Sequence, residues 1–233
     1  MKANTERSYR GLLWTLAVIG TVLDQVGKYG VFKWLYDPAC PPGETREHAL
    51  GSFSWRYDGH YLQGECNLLP GVFKLLAQFT GQHEAGHGWL AALRTWSSPM
   101  LPKVNHGALF GLGGEYAMLA NAVFAVVSIV AALAIMYWST RRSTARDLAL
   151  CAALGLILAG TVGNLYDRLI FGGVRDFLYF YWIDWPVFNI ADCCLVCGAF
   201  LLLAQAFWSR SPVERNVPAT TKALAAAAGS RGE

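Results

Sequence analysis

The chain has 233 residues, of which 54% are hydrophobic and 15% charged, with a net charge of +3. A soluble domain carries about 25% charged residues. Here the apolar residues gather in long runs, so the composition argues for a membrane protein. The basic residues cluster at the ends of those runs, as membrane topology requires. No basic–aromatic ladder points to nucleic acid.

Residues 1–10 are short and basic, with Lys2, Arg7 and Arg10 ahead of an apolar run. The pattern resembles a signal peptide, but no small-residue cleavage site follows. About 20 residues cross a bilayer, and residues 11–31 supply an uncleaved first span. Asp24 and Lys28 are spaced to share a helix face near its far end.

Residues 37–104 change character. Pro38, Pro41 and Pro42, many glycines and scattered charges mark a solvent-exposed insert. Residues 51–57 and 61–62 read as short strands, and 72–79 as a strand or the start of a surface helix. Trp89, Leu90, Leu93 and Trp96 have the spacing of an interfacial helix. Cys40 and Cys66 could pair if the insert lies outside the cytoplasm. The other four cysteines sit in or beside apolar runs and read as small core residues. His83-Glu84-Ala85-Gly86-His87 fits the HExxH pattern of zinc hydrolases. Gly81, Gly86 and Gly88 weaken the helix that pattern needs, so it reads as a chance match, with no metal expected.

Asn105 opens the next block, either as a cap or as a substrate contact. Spans follow at 116–138, at 148–162 and from 188 or 190 to 208. The expected fold is therefore an all-α membrane protein with four transmembrane helices. Its units are 1–36 (N-terminus and first helix), 37–104 (insert), 105–208 (the other helices and the site) and 209–233 (an Ala-rich, disordered tail). Basic residues at the N-terminus, at Arg141, Arg142 and Arg146, and at Arg210 and Arg215 put these three places on the cytoplasmic side. The insert and the 172–187 loop then face outward, with Tyr179, Phe180, Tyr181, Trp182 and Trp185 as an interfacial aromatic patch.

The stretch 163–192 concentrates polar groups between two apolar spans. Such residues are costly in a membrane unless they serve a site. Two carboxylates sharing one site cannot both ionise easily, so the pair holds one proton and can activate a water. Periodicity does not choose among Asp167, Asp176, Asp184 and Asp192. Arg168 makes Asp167 look like half of a neutralised pair. Alternatives are a polar cluster that merely ties helices together and a small-solute or ion transporter. Carboxylates at helix ends rather than at midplane argue against transport.

Several blocks then carry a family resemblance. They are Leu23-Asp24-Gln25 with Lys28; Asn105 and Gly107 with Phe110-Gly111; Gly163-Asn164-Leu165-Tyr166-Asp167-Arg168 with Gly173, Asp176 and Phe177; and Phe188-Asn189 with Ala191-Asp192. In order and spacing the chain resembles the lipoprotein signal peptidases, the type II signal peptidases of bacteria. The resemblance covers residues 11–36 and 105–208. It implies an aspartic endopeptidase of the bacterial inner membrane that needs no cofactor. Such an enzyme cleaves prolipoproteins on the N-terminal side of a cysteine already carrying diacylglycerol. It implies Asp176 and Asp192 as the catalytic pair. Asp24, Lys28, Asn105, Gly107, Asn164, Asp167, Arg168 and Asn189 would support the site or contact substrate. It further implies membrane lipids as surroundings, globomycin as an inhibitor of the same cleft, a monomer as sufficient unit, and a small extracytoplasmic β platform. The 37–104 insert is longer than such a platform needs.

Overall fold

The computed structural model describes residues 7–47, 52–80, 88–107 and 116–208. Four long helices form a bundle: α1 (Arg10–Trp34), α3 (Ala117–Ser139), α5 (Leu148–Phe171) and α6 (Ile190–Trp208). Two short ones, α2 (Trp89–Arg94) and α4 (Arg142–Ala145), lie between them. The helices α3, α5 and α6 are long and apolar enough to cross a membrane. The expectation of four such helices is met for these three. α1 has 25 residues, but Asp24, Gln25, Lys28 and Lys33 dilute its apolar character.

α5 is the central post, packed against α1, α3 and α6. Its start is fixed by Asp147, whose side chain accepts the Leu150 N–H at 2.9 Å, a helix cap. Its end is fixed by Gly172 in the left-handed conformation, φ 76°. The helix therefore runs nine residues past the 162 boundary expected from hydropathy, to Phe171. Nothing in that stretch breaks a helix. Asn164 and Asp167 are three apart on the inward face, where partners offset their burial. α3 is the lipid-facing member. It turns alanines inward, among them Ala120, Ala125 and Ala132, and exposes Met118, Val126 and Leu133. Small inward residues let membrane helices approach closely.

At one end of the bundle the Tyr9 N–H donates to the Ala145 carbonyl at 2.7 Å. Arg10 donates through Nε to the Ser139 carbonyl at 2.9 Å, at the C-terminal end of α3. A cation there satisfies otherwise open carbonyls. The N-terminal segment and the 139–147 loop thus share one end.

The other end carries an antiparallel sheet in the order β1 (Thr45–Glu47), β2 (Phe53–Tyr57), β3 (Tyr61–Leu69), β4 (Phe73–Thr80), β5 (Leu101–Pro102). β6 (Leu178–Tyr179) joins β4 beyond this path. Alternation makes one face apolar: Leu62, Cys66, Leu75, Ala77 and Phe79 pack on Phe32 of α1 and on Leu35 just past its end. The expected platform is present, and 72–79 resolves as strand. β3 is longer than the two residues expected, because Gly64 and Cys66 are inward positions that read as polar punctuation. α2 is helical over the first part of the 89–96 stretch, with Trp89 exposed. Cys40 and Cys66 share the platform core but are not bonded to each other. Burial raises both thiols above the usual range. The HExxH stretch, Phe110-Gly111 and the 209–233 tail lie outside the described residues.

Candidate active site

The segment after α5 must turn back sharply to start α6, and a buried arginine holds it. Arg175 donates its backbone N–H to Asp167 Oδ2 at 2.8 Å, Nε to the same oxygen at 3.2 Å and Nη2 to Oδ1 at 2.9 Å. Its guanidinium carbon lies 4.2 Å from the Tyr29 ring centroid and 3.9 Å from that of Phe171. Nη2 also reaches Gln25 Oε1 at 3.0 Å. A planar, five-donor cation suits such a site.

Beside this anchor, Lys28 Nζ lies 2.8 Å from Asp24 Oδ2 and 3.4 Å from Asp167 Oδ2, with all three side chains at 0% exposure. Two acids and two bases thus balance inside the bundle. A buried charge is tolerable when paired and hydrogen-bonded in this way. Asp24 does a second job: its Oδ1 accepts the Ala191 N–H at 2.8 Å, satisfying an open donor at the start of α6. The helices approach closely enough here that a Cβ on Gly163 would lie 2.6 Å from Asp24 Oδ2.

Outward from the charge cluster the network becomes one of amides and two carboxylates. Asn189 precedes α6 and forms a reciprocal capping pair with Asp192. The Asp192 N–H donates to Asn189 Oδ1 at 3.0 Å, and the Asn189 N–H donates to Asp192 Oδ2 at 3.1 Å. The Asn189 side-chain amide spends its two protons on Asp176 Oδ1 at 2.7 Å and Asn164 Oδ1 at 3.2 Å. Asn164 donates to Asp192 Oδ1 at 2.8 Å and accepts from Lys28 Nζ at 3.1 Å. Asn105 donates to the other oxygen of Asp176 at 3.0 Å. Asn189 therefore touches both carboxylates, and each carboxylate oxygen receives one N–H.

The Asp176 side is fixed by backbone as well. Asn105 and Val174 exchange N–H···O bonds of 2.7 and 2.9 Å. The Gly107 N–H donates to Asn105 Oδ1 at 2.8 Å. Gly107 has φ +109°, and a Cβ there would meet the Phe124 ring at 2.6 Å, so both backbone and space call for glycine. Burial, and then the neighbouring Asp192 charge, push the Asp176 carboxyl up to about 7. Asp176 lines a hollow of about 350 Å³ together with Asn105, His106, Lys103, Leu76 and Val174.

Of the site residues expected from sequence, Asp24, Lys28, Asn105, Gly107, Asn164, Asp167, Asp176, Asn189 and Asp192 join one connected network. Arg168 is placed differently from expectation. It is not the partner of Asp167: it donates Nη1 to the Asn164 carbonyl at 3.3 Å, with Cζ 5.2 Å from the Phe124 ring centroid. Asp167 is neutralised by Arg175 and Lys28 instead. Neighbours in a helix point about 100° apart, whereas the turn at Gly172 brings Arg175 back over Asp167. Asp184 stands apart from the network and accepts the Tyr179 hydroxyl at 2.5 Å. Sequence reading gave Arg175 and Tyr29 no role. The one signal for Arg175 is a cation, beside Asp176, in a loop that is mostly aromatic and apolar. Among the described residues, no group of His, Cys, Asp and Glu is arranged to hold a metal.

Known proteins agree with this architecture. The family described as Signal peptidase (SPase) II matches residues 87–208. The lipoprotein signal peptidase of Pseudoalteromonas translucida is 38% identical over 124 residues, covering 50% of this chain and 75% of that protein. That of Rhodopirellula baltica is 45% identical over 118 residues, covering 45% of this chain and 51% of its own. That of Yersinia pestis (strain Pestoides F) is 38% identical over 131 residues, covering 52% and 74%. Two solved structures described as a bacterial membrane enzyme, at 2.3 and 1.9 Å, share the fold with TM-scores of 0.57 and 0.55. They are 21% identical, and the likeness covers 90% of this chain and 96% and 100% of theirs.

Fold, apolar helices and relatives together define a multi-pass aspartic endopeptidase of the membrane. The chain belongs to the signal peptidase II family, whose substrates are prolipoproteins. Nothing in these likenesses supports the transporter alternative.

Proposed function

We propose that Asp176 and Asp192 are the catalytic pair and that they hydrolyse the bond before a diacylglyceryl-modified cysteine by direct attack of water. The observation that carries this is the shared contact with Asn189, which ties both carboxylates into one hydrogen-bonded unit. Asp176, raised to about 7, holds the shared proton below that pH. Asp192 sits in the first turn of α6, where a helix N-terminus favours negative charge. Asp192 accordingly acts as the base toward water. Asp176 donates its proton to the scissile carbonyl oxygen as water adds; Asp192 then passes the proton it took from water to the leaving nitrogen, and Asp176 recovers a proton from the gem-diol as the C–N bond breaks. The chemistry needs no covalent intermediate and is carried by side chains of one copy, so a monomer suffices.

Asp24, Lys28 and Asp167 hold α1 and α5 against the start of α6. Asn105, Asn164 and Asn189 orient the carboxylates. Gly107 and Arg168 border the space beside Phe124. In this reading α1 is the fourth span, and its polar C-terminal half is the site's own contribution. The units 1–36, 37–104, 105–208 and 209–233 follow from that assignment. The basic end, with Arg10 on α3, faces the cytoplasm, and the sheet with the two aspartates faces outward from the inner membrane, in contact with lipid headgroups. Globomycin competes for the hollow at Asp176.

The test is cleavage of a lipid-modified precursor by purified protein in detergent or nanodiscs. Asp176→Asn and Asp192→Asn are each expected to slow processing by about 10³-fold while the variants stay folded and inserted. Processing at the wild-type rate by either variant would overturn the assignment.

A further inference from the structure

The hollow at Asp176 does not end there. A second one, of about 360 Å³, adjoins it, and Leu76, Gln78, Pro186 and Val187 line both. Together they form a groove that leads from Asp176 over the sheet face turned away from the platform core.

The two halves differ in chemistry. Around Asp176 the walls include Leu76, Val104, Val174, Pro186 and Val187. The floor of the second half is Gln63, Glu65, Lys74 and Gln78. Strand alternation produces this floor: Leu62 and Cys66 point into the core, so Gln63 and Glu65 point out. Gln63 pairs across the strands with Gln78. The side chains are pre-arranged as a chain: Gln78 donates to Gln63 at 2.5 Å, Gln63 to Glu65, and Lys74 Nζ to Glu65 Oε2 at 2.7 Å. Lys74 lies over the Tyr179 and Tyr181 rings at 5.4 and 5.1 Å. β5 pairs with Phe79 and Thr80 and β6 with Lys74 and Leu75, and between them the Leu76 N–H donates to the Phe177 carbonyl at 2.9 Å and the Lys103 N–H to the Gln78 carbonyl at 2.8 Å, so the strand's edge is paired and its side chains form the groove. Leu76 and Gln78 line both hollows.

We propose that this second hollow is a downstream subsite. It takes the polar, extended start of the mature lipoprotein, the residues that follow the lipidated cysteine. The proposal rests on Asp176 and Asp192 as the reacting centre. The apolar signal sequence belongs among the lipid-facing helices. A groove leading the other way, over a polar strand face outside the bundle, suits the hydrophilic part of the same chain. Gln63 and Gln78 hydrogen-bond its side chains, and Lys74 and Glu65 offer one cation and one anion to charged ones.

The experiment uses the full enzyme and two synthetic diacylated precursors, one ending at the cysteine and one continuing for several polar residues. The wild type is expected to show a KM about fivefold lower for the longer precursor, the equivalent of one to two hydrogen bonds. Gln63→Ala and Gln78→Ala, which break no ion pair, should shrink that ratio toward one, mainly through KM rather than kcat. Lys74→Met should do the same most strongly for acidic continuations. Equal KM for both precursors in the wild type, or a ratio unchanged in both glutamine variants, overturns the subsite. Asp176→Asn, run in parallel, separates the two readings: full activity there defeats the catalytic assignment, whereas a ratio unchanged in the glutamine variants while Asp176→Asn is inactive defeats the subsite alone.

Discussion

Two groups of acids lie side by side in this protein and are held in opposite ways. Asp24 and Asp167 are sealed from solvent and each faces a cation, Lys28 or Arg175, at 3.4 Å or less. Asp176 and Asp192 are held by amide N–H groups, and among the described residues no lysine or arginine forms an ion pair with either. A carboxylate paired with a buried cation is committed to that contact, which holds helices together. A carboxylate held by neutral amides beside another carboxylate can keep or release its proton. The residue type does not assign the role; the charge of its partner does.

The contrast can be broken from either side. Asp176→Asn or Asp192→Asn is expected to cut kcat by about 10³-fold, as loss of an acid or base does, with little change in melting temperature. Asp167→Ala should behave in reverse: it strands Arg175 and Lys28 without a partner and costs about 3–5 kcal/mol of stability. Thermal unfolding in detergent reads that loss directly, and an unchanged melting temperature would mean the cluster is not structural. Asn189→Ala sits on the boundary. It should remove the α6 cap, worth about 1 kcal/mol, and cost up to about 10²-fold in kcat through misplaced carboxylates, so it alone should move both readouts. Arg46→Ala sets the floor. Arg46 pairs with Asp37 at 3.0 Å, but its side chain is 53% exposed, so the change should stay below about 1 kcal/mol and leave cleavage unaltered.

How much of this was legible beforehand differs between the two groups. Hydropathy gave the long helices and the insert. It ended α5 too early, because Asn164 and Asp167 look like a boundary when their partners, on α1, α6 and the loop, cannot be seen. The partner of Asp167 was misread for the same reason: Arg168 is its neighbour in sequence, but Arg175 is its neighbour in space, by way of the turn at Gly172. Asp176 and Asp192 could not be told from Asp184 by spacing, since loop geometry decides which acid meets Asn189. The motif resemblance singled them out, and the network they form follows from the Asn189 cap and the Asn105–Val174 bridge. Cys40 and Cys66 were both read as belonging to the insert. Their position inside a packed sheet core, unbonded, depends on a strand register that Gly64 in β3 obscures.

The claim most open to direct attack is that the two aspartates share one proton. The Asp176 carboxyl is raised from the ordinary 3.8 to about 7, so the folded protein holds that proton between those values. Its contribution to stability is accordingly lost as pH rises through this window. Activity needs one protonated and one ionised partner, and must also fall as pH rises through the upper value. The measurement is kcat/KM against pH for a lipid-modified precursor, with Asn105→Ala alongside the wild type. The account predicts a falling limb centred near pH 7, displaced to higher pH in Asn105→Ala because a donor favouring the charged form of Asp176 has been removed. A rate that stays level through pH 8 to 9, or a limb that does not move with Asn105, would contradict it.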